Sequence, residues 1–187
     1  MVFLFKGVKE AVKNKLREAI LEEDRYKQAG DEFENYVLGL FDERYFKVID
    51  WTRDTSKQAG RYVKSDSNPD FTIEYTGAGQ HTGSKFAVEC KFRSSLSTDE
   101  NERASMVDIA RYEQLFRYAK YSIKNKVPVF IVVGLGGRPN RPREMFCIPL
   151  EEIEYEKIFY TTLKRWKRDP TREFYWNGER LEERKRS

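Results

Sequence analysis

Histidine and cysteine are almost missing from this chain. It carries one histidine, His81, and two cysteines, Cys90 and Cys147, in 187 residues. Zinc sites draw on clusters of these residues at short spacings, so a structural or catalytic zinc is excluded. Both cysteines lie in apolar, strand-like runs and read as buried free thiols, which suits a reducing, cytoplasmic setting. Long apolar runs are missing too. Val127 to Leu135 falls far below the roughly 20 residues that span a bilayer, and Met1 to Phe5 is too short for the core of a signal peptide, so no membrane partner and no leader are expected. No repeat or low-complexity linker divides the chain. Its length suits one domain over 1–187, with a core near 31–150 and additions at 3–26 and 151–187.

Charge and large apolar residues are abundant: 35% of residues are charged, 39% hydrophobic and 14% aromatic. Such a chain can build a core rather than remain disordered. The net charge of +4 is a modest basic bias, compatible with a polyanionic partner. Periodicity orders the elements. Leu4, Val8, Val12, Leu16 and Ile20 recur every fourth residue, predicting an amphipathic helix over 3–26. Gly30 then interrupts, and Asp31 caps a second helix carrying Phe33, Val37, Leu40 and Phe41. Glu34 flanks that second stripe. Tyr45 to Trp51 reads as a strand, and a polar loop with Arg53, Lys57, Arg61 and Lys64 follows. Two strands, 70–75 and 85–92, flank a Gly-rich turn that holds His81, expected to be exposed and inert. A helix is predicted over 106–124, with Ile109, Tyr112, Phe116, Ala119 and Ile123 inward and Gln114 and Tyr118 on an adjacent stripe. Pro128 to Leu135 is a strand buried on both faces, ended by a turn at Gly136-Gly137. Arg138, Arg141 and Arg143 make that turn basic. It lacks the Gly-Lys-Ser/Thr of a phosphate-binding loop, which excludes that nucleotide site. A short strand at 145–150, a helix over 151–166 and a frayed tail from Glu182 complete the chain. The order implies an α/β fold, a mixed sheet flanked by helices.

The chemistry concentrates between Pro69 and Lys91. Along a strand, Phe86, Val88, Cys90 and Phe92 share one face, and Ala87, Glu89 and Lys91 share the other. Asp70 arrives from the start of the neighbouring strand. Two acids and a lysine then converge, an arrangement able to hold a hard divalent cation beside a cationic side chain.

Pro69-Asp70 followed by Glu89-Cys90-Lys91 resembles the signature of the PD-(D/E)XK nuclease superfamily, and Gln114-Leu-Phe-Arg-Tyr118 is similar to the Gln-x-x-x-Tyr motif of its RecB-like branch. Glu183-Arg184-Lys185 also satisfies Glu-x-Lys but has neither an apolar strand around it nor an upstream acid. The resemblance implies a restriction-endonuclease-like fold and a Mg²⁺- or Mn²⁺-dependent nuclease that hydrolyses DNA phosphodiester bonds in repair, recombination or restriction. By it, Asp70 and Glu89 would ligate the metal with the backbone carbonyl of Cys90. Glu34 would reach the metal directly or through water, and Lys91 would orient the attacking water or stabilise charge on the phosphate. Gln114 and Tyr118 would support the site, and Arg53, Arg61, Lys64, Arg138, Arg141 and Arg143 would contact nucleic acid. A homodimer is compatible with this reading. Two alternatives stay open: an inactive nucleic-acid-binding or assembly module on the same fold, and a nuclease acting on RNA.

Overall fold

The structure is a computed structural model and describes residues 2–52, 68–98 and 104–184. Arg53, Lys57, Arg61, Lys64 and Lys185 lie outside the described residues, as do the side chains of Leu4, Val8 and Val12. Among the described residues no helix is long and apolar enough to cross a membrane.

A six-stranded sheet organises the chain. Its strands are β1 (Phe46–Trp51), β2 (Phe71–Tyr75), β3 (Lys85–Arg93), β6 (Val129–Arg138), β7 (Arg141–Pro149) and β9 (Lys167–Arg168), in the spatial order β1-β2-β3-β6-β7-β9. Every pairing is antiparallel except β3 with β6. That parallel pair needs a crossover, and α2 (Tyr112–Asn125) supplies it. The mixed sheet flanked by helices is the expected α/β architecture.

Alternation along β3 divides the core. Phe86, Val88 and Cys90 face a cluster with Phe33 and Val37 from α1 (Val2–Leu38), Phe41, and Phe174 and Trp176 from the hairpin of β10 (Phe174–Trp176) and β11 (Leu181–Glu183). Ala87 faces the other way, into a cluster with Ile131, Val133 and Tyr118. A small sheet of β4 (Ser97–Thr98), β5 (Ser105–Asp108) and β8 (Lys157–Phe159) adds Val107 and Ile158 to that second cluster. Because β3 is packed on both faces, a polar side chain pointing off it must find partners inside the protein.

Several predicted elements are corrected. The two N-terminal helices are one helix of 37 residues that runs through Gly30. A glycine in a helix interior costs only about 1 kcal/mol, and Phe33 and Val37, fully buried one and two turns further on, outweigh it. The helix predicted from 106 begins at Tyr112. Residues 105–108 are a strand between β4 and β8, and the extended backbone at Asp108 and Ile109 is gripped by Arg93, whose Nε donates to the Asp108 carbonyl at 2.8 Å. The inward stripe of α2 is also reversed: Tyr112, Phe116 and Ile123 are 69%, 61% and 80% exposed, whereas Tyr118 is buried. Tyr118 and Tyr121 face the sheet because their hydroxyls find partners there, Glu89 and Thr72. Gly136 and Gly137 lie within β6, at φ of 65° and 73°, and the turn itself is Pro139-Asn140. A Cβ on Gly137 would meet the Arg141 carbonyl oxygen at 2.7 Å, so only glycine fits.

The helix expected over 151–166 is instead a 3-10 turn at Leu150–Glu152, strand β8, a single helical turn α3 (Tyr160–Leu163) and a second 3-10 turn at Lys164–Trp166. Nor is the tail frayed from Glu182. Glu182 pairs with Tyr175 in the β10–β11 hairpin, and Arg184 bonds Asp42 at 3.1 Å and Glu173 at 2.8 Å.

Candidate active site

The hairpin of β2 and β3 brings the start of one strand to the middle of the other. Its register places Phe71 opposite Val88, so Asp70 arrives beside Glu89-Cys90-Lys91. One hydrogen bond then holds the two segments together. The Cys90 backbone N–H donates to Asp70 Oδ2 at 2.7 Å, beyond the last paired residues of the ladder. The Cys90 side chain points away into the α1-side cluster, where burial raises its thiol pKa well above the ordinary value.

Glu89 is 4% exposed and shares its face with Lys91. The Tyr118 hydroxyl donates to Glu89 Oε1 at 2.5 Å, and the Lys91 ammonium pairs with the same oxygen. A buried carboxylate without such partners would be strongly unfavourable. Beyond Lys91 on the same face, Arg93 is committed to structure: besides Asp108 it donates to the Phe92 and Ile109 carbonyls. Burial lowers the Arg93 pKa, with Asp108 opposing. Thr72, on the Asp70 face of β2, meets the Tyr121 hydroxyl at 2.7 Å, so α2 is tied to both strands of the hairpin.

Glu34 approaches from α1. It lines, with Asp70, Cys90, Lys91, Arg93 and Arg25, a cleft of about 700 Å³ between the helix and the end of β3. Burial raises its pKa to about 7, reinforced by Asp31 and Glu89, with the Trp51 indole and Lys91 pulling the other way. Asp70 is also pushed well above the ordinary carboxylate range, by burial first and then by Glu89 and Glu34. Burial works against the Lys91 ammonium, yet Glu89 and Asp70 overcome it and hold its pKa above the ordinary lysine value. Three acids therefore converge with one lysine, and the site is short of positive charge.

This donor set suits a hard cation. All its side-chain donors are carboxylate oxygens, and the mutual repulsion of Asp70, Glu34 and Glu89, which adds to burial in raising Asp70 and Glu34, is what a bound cation would relieve. Among the described residues no three acidic, histidine or cysteine side chains form a ready-made metal cage. Mg²⁺ does not require one, since it keeps several waters and is usually bound by one or two carboxylates.

The remaining candidates are placed unevenly. Gln114 sits at the start of α2, where its Oε1 accepts from the Arg111 backbone N–H at 3.2 Å, and it lines a neighbouring cavity with Arg93 and Asp108 rather than the Asp70 cleft. Arg138, Arg141 and Arg143 are exposed at the far end of the β6–β7 hairpin. Arg93 pairs with Leu135, so Arg138 lies three residues further along, about 10 Å past the end of β3. His81 packs over Gly178, where an added Cβ would meet the ring at 2.1 Å, and so helps dock the β10–β11 hairpin. Trp51, Thr72, Arg25 and Arg93 escaped the sequence reading. Only Arg93 had a local signal, the continued alternation Glu89, Lys91, Arg93; the others arrive from distant segments.

No family model matches the chain, and no curated protein matches it. Among solved structures, the chain is similar to Hjc, a Holliday junction resolvase from the archaeal hyperthermophile Archaeoglobus fulgidus, at 16% identity over 73% of this chain and 88% of that one, with a TM-score of 0.46.

Proposed function

We propose that this chain is a divalent-metal-dependent nuclease of the PD-(D/E)XK type, on a restriction-endonuclease-like fold, that hydrolyses DNA phosphodiester bonds. The observation that carries the reading is the Asp70 bond to the Cys90 N–H. It joins the acid at the head of β2 to the Glu-x-Lys segment of β3, beside a buried, tyrosine-pinned Glu89 and a protonated Lys91. Acids at 70 and 89 scattered over a surface hairpin would show neither the burial nor the shared clamp.

In this reading Asp70 and Glu89 would hold Mg²⁺ or Mn²⁺ together with the Cys90 carbonyl, and Glu34 would reach it directly or through water. The bound ion would supply an activated water and offset charge on the phosphate. The chain's own residues do the positioning. Tyr118 fixes the Glu89 rotamer, and the Cys90 N–H fixes that of Asp70. Lys91, held as an ammonium, orients the water and stabilises negative charge on the phosphoryl oxygens; a protonated lysine has no lone pair with which to act as a base. The exposed Arg138, Arg141 and Arg143 lie beyond the same end of β3 as Lys91 and would contact the phosphate backbone, with Arg53, Arg61 and Lys64 as further candidates. Two buried free thiols suit a reducing, cytoplasmic compartment.

A cleavage screen of the purified protein tests the proposal, using linear, branched, single-stranded and methylated DNA and RNA with Mg²⁺ or Mn²⁺. Wild type should cut at least one DNA substrate, and Lys91→Ala should cut none while still binding. Cleavage of RNA alone would move the substrate class. Salt-sensitive binding with no metal-linked cutting of any substrate would establish the inactive binding module instead.

A further inference from the structure

The stretch of α1 from Lys13 to Tyr26 is open to solvent. Every residue from Lys13 to Tyr26 is exposed, including Leu16 at 61%, Ile20 at 51%, Leu21 at 50% and Tyr26 at 75%, and among the described residues the first side chain of the helix in the core is Phe33. A projecting helix of this length, about 20 Å at 1.5 Å per residue, gains little stability by itself in water, and an apolar stripe on it calls for a partner.

Charge identifies the partner. At about 100° per residue, Lys13, Leu16, Arg17, Ile20, Leu21 and Asp24 fall within one face about 140° wide. Along that face Lys13 comes first, Leu16, Arg17, Ile20 and Leu21 lie in the middle and Asp24 comes last. Turning the face end over end about a point between Glu18 and Ala19 maps Lys13 onto Asp24, Leu16 onto Leu21 and Arg17 onto Ile20. The face is therefore complementary to itself in an antiparallel arrangement, and only there. A parallel pair would set Lys13 on Lys13 and Asp24 on Asp24.

We infer that the exposed face of α1 between Lys13 and Asp24 is a homodimer interface, in which two copies of this chain pair their α1 helices antiparallel about a two-fold axis. Leu16 packs on Leu21 of the second copy, the Arg17 stem covers its Ile20, and Lys13 pairs with its Asp24, giving the isologous contact that a two-fold requires. Since α1 also carries Glu34 and Arg25 along the cleft, the pairing fixes the relative orientation of two clefts.

Sedimentation equilibrium of the full chain, which needs no nuclease activity, tests the inference. Wild type should run at twice the chain mass. Leu16→Glu with Leu21→Glu should halve that mass without changing the near-ultraviolet spectrum of the core, because neither side chain is buried in it. Lys13→Asp or Asp24→Lys alone should weaken the dimer, and the two together should restore it. A mixture of Lys13→Cys and Asp24→Cys proteins should cross-link on oxidation where neither does alone. A wild-type monomer, a dimer that survives Leu16→Glu with Leu21→Glu, cross-linking of Lys13→Cys to itself, or a monomer that binds anionic vesicles through this helix would each overturn it.

Discussion

Replacing Tyr118 by phenylalanine removes a single oxygen from the protein interior. The ring is 3% exposed and packs against the α2-side core, so the substitution opens no cavity and leaves the apolar contacts in place. What disappears is the 2.5 Å bond to Glu89 Oε1. A hydrogen bond to a charged group contributes about 1.5–3 kcal/mol, and Glu89, almost fully buried, cannot replace it with bulk water. The Lys91 contact remains, so the carboxylate loses one of two partners and the cost belongs near the lower end, about 1.5–2 kcal/mol. Urea denaturation should show the midpoint falling with an unchanged slope. In a Glu89→Ala background the hydroxyl has no carboxylate to meet, and Tyr118→Phe should cost close to nothing. An equal loss in both backgrounds would show that Tyr118 stabilises the protein without holding Glu89, and the account of how this acid is positioned would be wrong.

Other consequences are accessible to standard measurements. A Cβ on Gly134 would sit 2.4 Å from the Phe33 ring, so Gly134→Ala should lose about 1–3 kcal/mol in denaturation, with partial recovery on Phe33→Leu; a neutral substitution would contradict the close packing of α1 on β6. Gly30 has nothing within 4 Å of an added Cβ, so Gly30→Ala should raise stability by about 0.5–1 kcal/mol, and a loss would argue for a kink there. Glu34 titrates near 7 in the folded chain, above its ordinary value of 4.5. Its contribution is therefore full below pH 4.5 and lost as pH rises through 7. The melting temperature of metal-free protein should decline across that window, Glu34→Gln should flatten the decline, and an unchanged profile would remove Glu34 from the charged cluster.

The extent to which these features were legible in the sequence follows from how locally each is specified. Strand β3 was readable because both of its faces are written in consecutive residues, with Phe86, Val88 and Cys90 inward on one side and Glu89 and Lys91 on the other. The approach of Asp70 followed from a hairpin, a short-range element. Longer-range competition defeated the rest. Gly30 looked like a boundary, but the packing of Phe33 and Val37 carries the helix through it. Tyr112, Phe116 and Ile123 form a good apolar stripe by spacing alone. The choice of face was made instead by two tyrosine hydroxyls that bond Glu89 and Thr72, which no periodicity encodes. Residues 106–108 read as helix because their strand partners, β4 and β8, are two-residue and three-residue segments too short to recognise. Gln114 and Tyr118 share a helix, yet one bonds the end of its own helix and the other bonds Glu89 on β3.

The most direct measurement of the central claim is a titration of DNA cleavage by Mg²⁺ and Mn²⁺ with wild type, Asp70→Asn and Glu89→Gln, on whichever substrate the screen identifies. Cutting should be absent without metal, saturable with it in the wild type, and reduced at least about a hundredfold in both variants with the fold intact, as expected when a ligand of a catalytic ion is removed. Metal-independent cutting, or full activity in either variant, would contradict that claim.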